Sequence, residues 1–457
     1  MKTVKLFVIL VLTGAMAGAV SAATATYTNN DVGNWTNQNY WTGGDAAGGL
    51  PDADDDVVMQ IISTSGAKNL GLDDARTVNS FTMDNNNGNT RLEIRTGGSL
   101  TIATGVLDGN GQAGSLQIEQ NIEANADSVF TADASELFYV GLRGAANWGD
   151  TAYWTLVNGQ DIDSLNTFIG QNNQPYGGVM TLETGSSLRT GQRLHLAPRD
   201  NDIQASTTEF NLDGGKLIAR LGIIRDGNDE FTDGTAIFNF NSGEIEVDNA
   251  AESVIESTQG GSTLDISLGD GAGSRVIDTL GLTMRQASTA RFVDQSGANG
   301  DWQKLGTGIM ILQGTNTYTG DTVVDEGTLK LDETGTLSFL VEGDGVNNTI
   351  YDSADADAAL VLAGEFVIDL TGAGTTVGDE WELFDYDSFQ QVQISNTFSV
   401  ASFTDAGSGL WTNASNGVTY EFDESDGMLT VIPEPATLGL ISMAFGALFV
   451  LRRRIMR

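Results

Sequence analysis

Short segments in which apolar and polar residues alternate recur between about Gly66 and Leu331, and glycine or asparagine interrupts each of them. The clearest copies are Arg91–Ile102, Val179–Leu188, Glu209–Ile218 and Ile237–Val247. Alternation with a period of two residues is typical of β-strands that bury one face. The Gly-Gly, Ser-Gly and Gly-Ser breaks supply the positive φ or tight bend of a corner. The pattern therefore predicts an all-β protein.

Two β-folds suit this pattern. One is a right-handed parallel β-helix, a solenoid in which each copy provides part of a coil; the other is an antiparallel sandwich or a set of hairpins. The two-residue breaks are short for hairpins between strands of four residues, and they suit the corners of a coil. We expect the β-helix over residues 66–332. Because the spacing between copies is irregular, the region is not an array of strict period.

Residues 333–431 differ because the repeat glycines become less frequent. Seven short candidate strands predict a small antiparallel domain that resembles a sandwich. They are Leu337–Val341, Leu360–Leu362, Glu365–Leu370, Glu380–Phe384, Phe398–Phe403, Val418–Phe422 and Met428–Ile432. In an acidic loop of this region, Asp352, Asp355 and Asp357 are candidate ligands for a calcium ion, the one cofactor considered.

The chain begins with features of an export signal. Lys2 and Lys5 precede an apolar segment, Leu6–Ala19, and Val20-Ser21-Ala22 forms a small-residue cleavage site. We expect residues 1–22 to be a signal peptide that directs the chain to the Sec export machinery, with a mature chain beginning near Ala23. An N-terminal membrane anchor is the alternative.

Residues 23–65 contain the aromatic cluster Trp35, Tyr40 and Trp41, followed by an acidic run at 52–56. We expect the tryptophans to form a hydrophobic plug over the open end of the solenoid, because an uncovered end exposes strand edges and core. A sugar-stacking platform is the alternative for the aromatic residues, and a calcium loop is the alternative for the aspartates.

The segment Lys304–Asp332 contains the sharpest pattern. Its spaced residues are Gly306, Gly308, Ile311 or Leu312, Gly314, Asn316, Tyr318, Gly320, Thr322, Gly327, Leu329 and Leu331. This segment resembles the autotransporter-associated β-strand repeat. The resemblance implies one to two coils of β-helix in a secreted passenger-type region, with structural roles for these residues. We expect the Tyr318 side chain to lie against the coil, Asn316 to bond the backbone at a corner, and Val323, Val324, Leu329 and Leu331 to supply core.

The tail at 432–457 combines three signals: Pro433-Glu434-Pro435, an uncharged stretch at 437–451, and the basic residues Arg452, Arg453 and Arg454. The tail resembles the PEP-CTERM sorting signal. That resemblance implies a transmembrane helix at 437–451, transient anchoring in the inner membrane, recognition by an exosortase-type enzyme, and cleavage near the motif. The final location would be the cell surface or the extracellular space.

Composition narrows the possible functions. The chain carries 22 Lys+Arg against 61 Asp+Glu, a net charge of −39, which repels nucleic acids. It has no cysteine, so disulfides and thiol nucleophiles are excluded. With one histidine, His195, multi-histidine metal sites are excluded as well.

No catalytic constellation stands out. A surface role is the simpler interpretation of Arg199, Arg220 and Arg225, and acidic pairs such as Asp73/Asp74 and Asp226/Asp229 carry little information in so acidic a chain. We expect His195 to face outward with Arg193, away from Leu194 and Leu196.

The sequence therefore predicts a non-enzymatic, adhesin-like structural protein of the cell surface or extracellular matrix, with extracellular polysaccharide as a possible partner. A polysaccharide lyase or glycosidase on a β-helix is one alternative, and a carbohydrate-binding protein is another.

Overall fold

The computed structural model describes residues 23–433, except for gaps at 29–32, 45–48, 62–67, 73, 86–89, 95–98, 103–105, 110–114, 119–121, 125–128, 133–136, 141–150, 157–160, 165, 170–176, 197–199, 202–203, 206, 226–234, 249–251, 259–260, 271–272 and 354–356. Apart from one short 3₁₀ helix at Gln38–Tyr40, the regular structure of the described part consists of β-strands.

The strands of the first part are β1 (Ala23–Tyr27), β2 (Gly33–Asn34), β3 (Trp41–Gly43), β4 (Asp55–Ile61), β5 (Lys68–Leu72), β6 (Ala75–Val78), β7 (Ser80–Asn85), β8 (Thr90–Ile94), β9 (Ser99–Ile102), β10 (Val106–Gly109), β11 (Ser115–Ile118), β12 (Ile122–Ala124), β13 (Val129–Ala132), β14 (Leu137–Val140), β15 (Thr151–Leu156) and β16 (Asp161–Ser164). The middle part contains β17 (Asn166–Ile169), β18 (Gly177–Glu183), β19 (Ser187–Thr190), β20 (Arg193–Leu196), β21 (Asp200–Asn201), β22 (Gln204–Ala205), β23 (Thr207–Ala219), β24 (Gly222–Arg225), β25 (Thr235–Glu246), β26 (Ser253–Ser257), β27 (Leu264–Leu268), β28 (Arg275–Asp278), β29 (Thr283–Gln286) and β30 (Ala290–Asp294). The last part contains β31 (Trp302–Leu305), β32 (Ile309–Leu312), β33 (Thr315–Asn316), β34 (Thr322–Val324), β35 (Thr328–Leu331), β36 (Thr336–Gly343), β37 (Val346–Asn347), β38 (Ile350–Tyr351), β39 (Ala359–Leu362), β40 (Glu365–Ala373), β41 (Glu380–Glu382), β42 (Gln391–Ile394), β43 (Ser399–Val400), β44 (Thr404–Gly407), β45 (Leu410–Ser415), β46 (Val418–Asp423) and β47 (Met428–Ile432).

These strands wind into a parallel β-solenoid, which confirms the predicted fold class. Its largest sheets are a 15-stranded sheet, whose main path runs from β38 to β6 with β16, β19, β27 and β30 beside it, and an 11-stranded sheet that runs from β11 to β42. Neighbouring strands within both are parallel. The chain passes from one of these sheets to the other and back, and in several coils two consecutive strands, such as β18 and β19 or β27 and β28, belong to the 15-stranded sheet. The right-handed winding stays a prediction.

The core lies inside the coils, where residues of equal register form columns. One column runs through Met180, Phe210, Phe238, Ile266 and Phe292, all of which are fully buried. The rings of Phe210 and Phe238 lie 5.0 Å apart. Because side chains alternate across a strand, the polar residues between these positions face outward. The alternating sequence pattern is therefore the direct source of the core.

The solenoid does not end at residue 332. Strands β36, β40 and β43 form a further parallel ladder, and β39 pairs in parallel with both β35 and β42. The predicted antiparallel sandwich over 333–431 is therefore not supported. Its strands were placed nearly correctly, but most of them continue the coil.

The largest antiparallel sheet of the described residues lies near their end, in the order β41-β47-β46-β45-β44, whereas the other antiparallel pairs there, β1–β3, β21–β22 and β36–β37, involve two strands each. We call the largest antiparallel sheet the end cap. Its Phe422 is fully buried, and its ring centroid lies 6.1–6.3 Å from those of Phe366, Phe384 and Phe398 in the last coils. The end cap thus covers the core at this end.

The two predicted targeting segments fall outside the described residues. They are the signal peptide at 1–22 and the sorting signal at 432–457, of which Ile432 and Pro433 are described. Within the described ranges, no helix has the length and apolar character needed to cross a membrane. The predicted span at 437–451 lies beyond those ranges.

Candidate functional site

The predicted repeat, Lys304–Asp332, contains β33, which lies at a corner of its coil and contacts the neighbouring coils. Asn316 is fully buried there, and its Oδ1 accepts hydrogen bonds from the Phe292 backbone N–H at 2.8 Å and from Gln286 Nε2 at 2.6 Å. Its Nδ2 donates to the carbonyls of Gly314 and Thr336, at 3.1 and 3.2 Å. One amide therefore joins three coils, as predicted for a corner asparagine.

Tyr318 lies inside the coil. Burial raises the pKa of its hydroxyl to about 12, and the oxygen lies 2.6 Å from Thr322 Oγ1. The ring meets Phe292 and Trp302 edge-on at 6.4 Å. Tyr318 therefore fills the core and has its polar tip satisfied by Thr322, a residue that the pattern also contains.

The repeat glycines are places where one coil touches the next. A Cβ on Gly308 would lie 1.9 Å from the Leu282 carbonyl oxygen, and one on Gly314 would lie 1.9 Å from that of Ala290. A Cβ on Gly320 would lie 2.3 Å from the Asp301 nitrogen. Gly327 has a φ of +70° and meets the Gly308 carbonyl. Any larger residue would push the coils apart.

Lys304 is an unexpected member of this region, because lysine is rarely buried without a charged partner. Its Nζ donates to the carbonyls of Leu305, Gly306 and Glu326 at 3.1, 2.5 and 2.7 Å, and to Thr279 Oγ1 at 3.1 Å. Burial lowers the pKa of the amine to about 8. Lys304 thus donates hydrogen bonds to backbone carbonyls in two turns, one between β31 and β32 and the other just after β34.

Residues 303–331 match the passenger-associated-transport-repeat family. The match agrees, within one residue at each end, with the segment expected to resemble an autotransporter-associated β-strand repeat. No curated protein matches the chain.

Within the transport repeat, the predicted core is nearly correct. Of the four residues expected to supply core, Val324, Leu329 and Leu331 are buried, whereas Val323 is half-exposed. The prediction for Val323 was wrong, because adjacent residues of a strand face opposite sides. The asparagine and the glycines described above hold neighbouring coils together.

The N-terminal tryptophans are buried, as a plug requires, and the plug over the end of the solenoid stays a prediction. Trp35 is fully buried and Trp41 is 6% exposed, with 4.7 Å between their ring centroids. Trp41 Nε1 donates to the Trp35 carbonyl at 2.8 Å, and Tyr40 is partly buried against Tyr27. A stacking platform made of the two tryptophans is therefore wrong, because their faces are not open to a sugar.

Two of the acidic candidates for calcium, Asp352 and Asp55, accept hydrogen bonds from the backbone. Asp352 is buried, and its Oδ2 accepts from the N–H groups of Asp357 and Ala358, both at 3.1 Å. Asp357 is exposed, and Asp355 lies outside the described residues. In the acidic run, Asp55 is buried and accepts from the Asp52 N–H at 3.0 Å.

The remaining single residues have ordinary surroundings. His195 faces outward as predicted, stacks on Phe168 at 4.2 Å, and lies 3.1 Å from Asn166 Oδ1. Arg225 donates to the Thr263 carbonyl at 3.0 Å, and burial lowers the pKa of its guanidinium. Arg220 is exposed. Asp74 pairs with Arg76, whereas Asp73, Arg199, Asp226 and Asp229 lie outside the described residues.

A groove of about 440 Å³ runs along four successive coils. Small residues line it, among them Gly185, Gly214, Gly215, Ser242, Gly243 and Ser274. The small residues line up from coil to coil because three glycines bend successive coils at the same place. These are Gly185, Gly214 and Gly243, whose φ angles are +82°, +100° and +107°. The groove is therefore a product of the repeated turn pairs.

Charged residues border the groove. Lys216 Nζ lies 2.9 Å from Glu244 Oε1 and 2.5 Å from Glu246 Oε2. One oxygen each from Glu244, Glu246 and Asp278 lie within 4.8 Å of one another. Burial lowers the pKa of Lys216, but the hydrogen bonds to Glu246 and Glu244 outweigh burial and raise it. We call these four residues the charged cluster.

Sequence reasoning missed the charged cluster. The pattern Glu-Ile-Glu places Glu244 and Glu246 on one face, but only the register brings Lys216 opposite Glu244 and Asp278 opposite Glu246. Carboxylates of this kind can bind calcium or take part in acid–base catalysis. Here Lys216 neutralises part of their charge and contacts two of the three acids.

Proposed function

We propose that the protein is an exported, adhesin-like structural protein of the cell surface or matrix, without catalytic activity. The observation that carries this proposal is the structural role of residues 303–331, the transport repeat. Asn316 bonds the backbone of neighbouring coils, Tyr318 packs against Phe292, and the glycines touch other coils, so the repeat holds successive coils of the solenoid together. A matching segment in a passenger-type family supports export.

The proposed route uses both ends of the chain. A signal peptide at 1–22 would direct export through the Sec machinery, and the PEP-CTERM-like tail at 432–457 would be recognised by an exosortase after transient anchoring in the inner membrane. Cleavage after Ala22 would leave β1 intact, because that strand begins at Ala23.

Cell fractionation with surface proteolysis tests the route. Replacing Pro433 and Pro435 with alanine should retain the protein in the inner-membrane fraction. The exposed control Val377→Ala should reach the surface like the wild type. Surface delivery of the double variant at the wild-type level would refute the sorting proposal.

One observation favours a second candidate, a polysaccharide-active enzyme: the groove with the charged cluster at its border. Depolymerisation assays on a panel of acidic and neutral polysaccharides separate the two candidates. We expect no turnover. Turnover that is lost in both Glu244→Gln and Asp278→Asn, with the fold retained, would replace the structural proposal with the enzyme.

A further inference from the structure

The 11-stranded sheet ends at β42, Gln391–Ile394. On one side β42 pairs with β39, and within the described ranges no strand pairs with its other side. An edge strand presents a row of N–H and C=O groups that can pair with a further strand. The sheet thus ends in an open ladder.

The apolar columns of the core also stop at this strand. Leu360 and Leu362 are fully buried, whereas Val392 and Ile394, directly beside them in register, are only partly buried. Aliphatic surface therefore remains accessible next to the open ladder. A strand added to β42 would cover that surface in the same way that β42 covers β39.

The edge lacks the usual protection against strand addition. From Ser388 to Val400 the chain carries no charged residue, although the protein contains 61 acidic residues. The edge strand β44, in contrast, contains Asp405 and an irregular register between Asp405 and Gly407. Charges and bulges are the common means of blocking edges. On β42 neither is present.

The shape of the end limits what fits there. The end cap covers the interior through the contacts of Phe422 with Phe366, Phe384 and Phe398. The interior is thus already covered by the end cap, whereas β42 pairs with β39 alone within the described residues. What β42 offers a partner is therefore a single strand edge, which one extended strand can pair with.

We propose that β42 is a docking edge for one extended, uncharged peptide segment with aliphatic residues at alternate positions. Main-chain hydrogen bonds to β42 would supply affinity, and the aliphatic side chains would cover Val392 and Ile394. This inference is independent of the function proposed above.

A peptide with the sequence of residues 388–396 is a suitable probe, because it is uncharged and places valine and isoleucine at alternate positions. Fluorescence anisotropy with the purified full chain should show saturable binding with a dissociation constant below about 100 µM. The same peptide, N-methylated at alternate residues so that its ladder donors are lost, should bind at least about tenfold more weakly. Absence of saturable binding, or equal binding of the methylated peptide, would overturn the proposal.

Two lysine variants locate the site. Ile394→Lys places a charge on the inner face and should weaken binding at least about tenfold, because an inward charge blocks strand addition. Gln393→Lys adds the same charge to the neighbouring, outward-facing position and should stay within about threefold of the wild type. Equal losses in both variants would refute docking at this edge. If Ile394→Lys fails to fold, Val392→Thr replaces it, with a loss of about threefold expected.

Discussion

At the residue scale, Asn316 is the clearest structural determinant. Asn316→Ala would leave the Phe292 N–H without its partner in a buried corner, and would remove one hydrogen bond each from Gln286 Nε2 and the Thr336 carbonyl. Each unsatisfied buried group costs about 1–3 kcal/mol, so we expect the free energy of unfolding to fall by about 2–4 kcal/mol. Urea denaturation measures this change. Asn299→Ala, at an exposed position, is the control and should stay within about 0.5 kcal/mol of the wild type.

Lys304 should give the protein an unusual pH dependence. Its amine has a pKa of about 8 when folded and the ordinary value of 10.5 when unfolded. Between these values the unfolded chain binds more protons, so stability rises with pH. The free energy of unfolding of the wild type, minus that of Lys304→Met, should increase by about 1–2 kcal/mol from about pH 8 to about pH 10.

Lys330→Met is the matched control for this pH series, because that amine lies at the surface beside Asp332 at 2.6 Å. Its stability should follow the wild-type pH curve in parallel. A difference between wild type and Lys304→Met that stays constant with pH would contradict the prediction.

At the element scale, close contact between coils sets the stability of the repeat. Gly314→Ala would place a methyl group 1.9 Å from the Ala290 carbonyl oxygen, so β33 and its neighbour must separate. We expect a loss of about 3 kcal/mol or more in the free energy of unfolding.

Gly281→Ala is the control for this contact. The nearest atom to its added Cβ would be Thr307 Oγ1 at 3.5 Å, an ordinary van der Waals distance. This variant should unfold within about 1 kcal/mol of the wild type in the same urea series. A similar loss of unfolding free energy in both variants would show that these positions need glycine for its backbone freedom and not for close contact between coils.

Strand positions could be predicted from the sequence, but strand pairing could not. The alternation of Leu337, Phe339 and Val341 correctly predicts a strand with one buried face. The same alternation occurs in parallel and antiparallel sheets, so it does not distinguish the two, and the lower frequency of glycine after residue 332 does not mark a change of fold. The parallel register of β36 with β40 settles the question.

Much of the candidate site could not be predicted from the sequence, because it also depends on strand pairing. Residues such as Asn316 and Gly314 act within a pattern of fixed spacing, which the sequence displays directly. Lys216, Glu244 and Asp278 meet only through the pairing of β23, β25 and β28, and the sequence spacing between these strands is irregular. Lys304 was missed because its type predicts exposure.

At the scale of the whole molecule, two electrostatic effects oppose each other. Surface ion pairs such as Arg291–Asp265 and Arg285–Glu252 join neighbouring coils, and salt weakens them. The net charge of −39 makes the folded state repel itself, and salt relieves that repulsion. Exposed pairs contribute about 0–1 kcal/mol each, whereas the excess of acids is spread over the entire solenoid.

We therefore expect repulsion to dominate and the melting temperature to rise by several degrees between about 10 mM and about 300 mM sodium chloride. Choline chloride at equal ionic strength should give the same gain, because screening does not depend on the cation. Calcium chloride at equal ionic strength should add nothing further, since Asp352 already bonds the backbone and Lys216 contacts two acids of the charged cluster. A melting temperature that falls with salt would show that the ion pairs between coils outweigh the repulsion, and an extra gain with calcium would identify a specific calcium site.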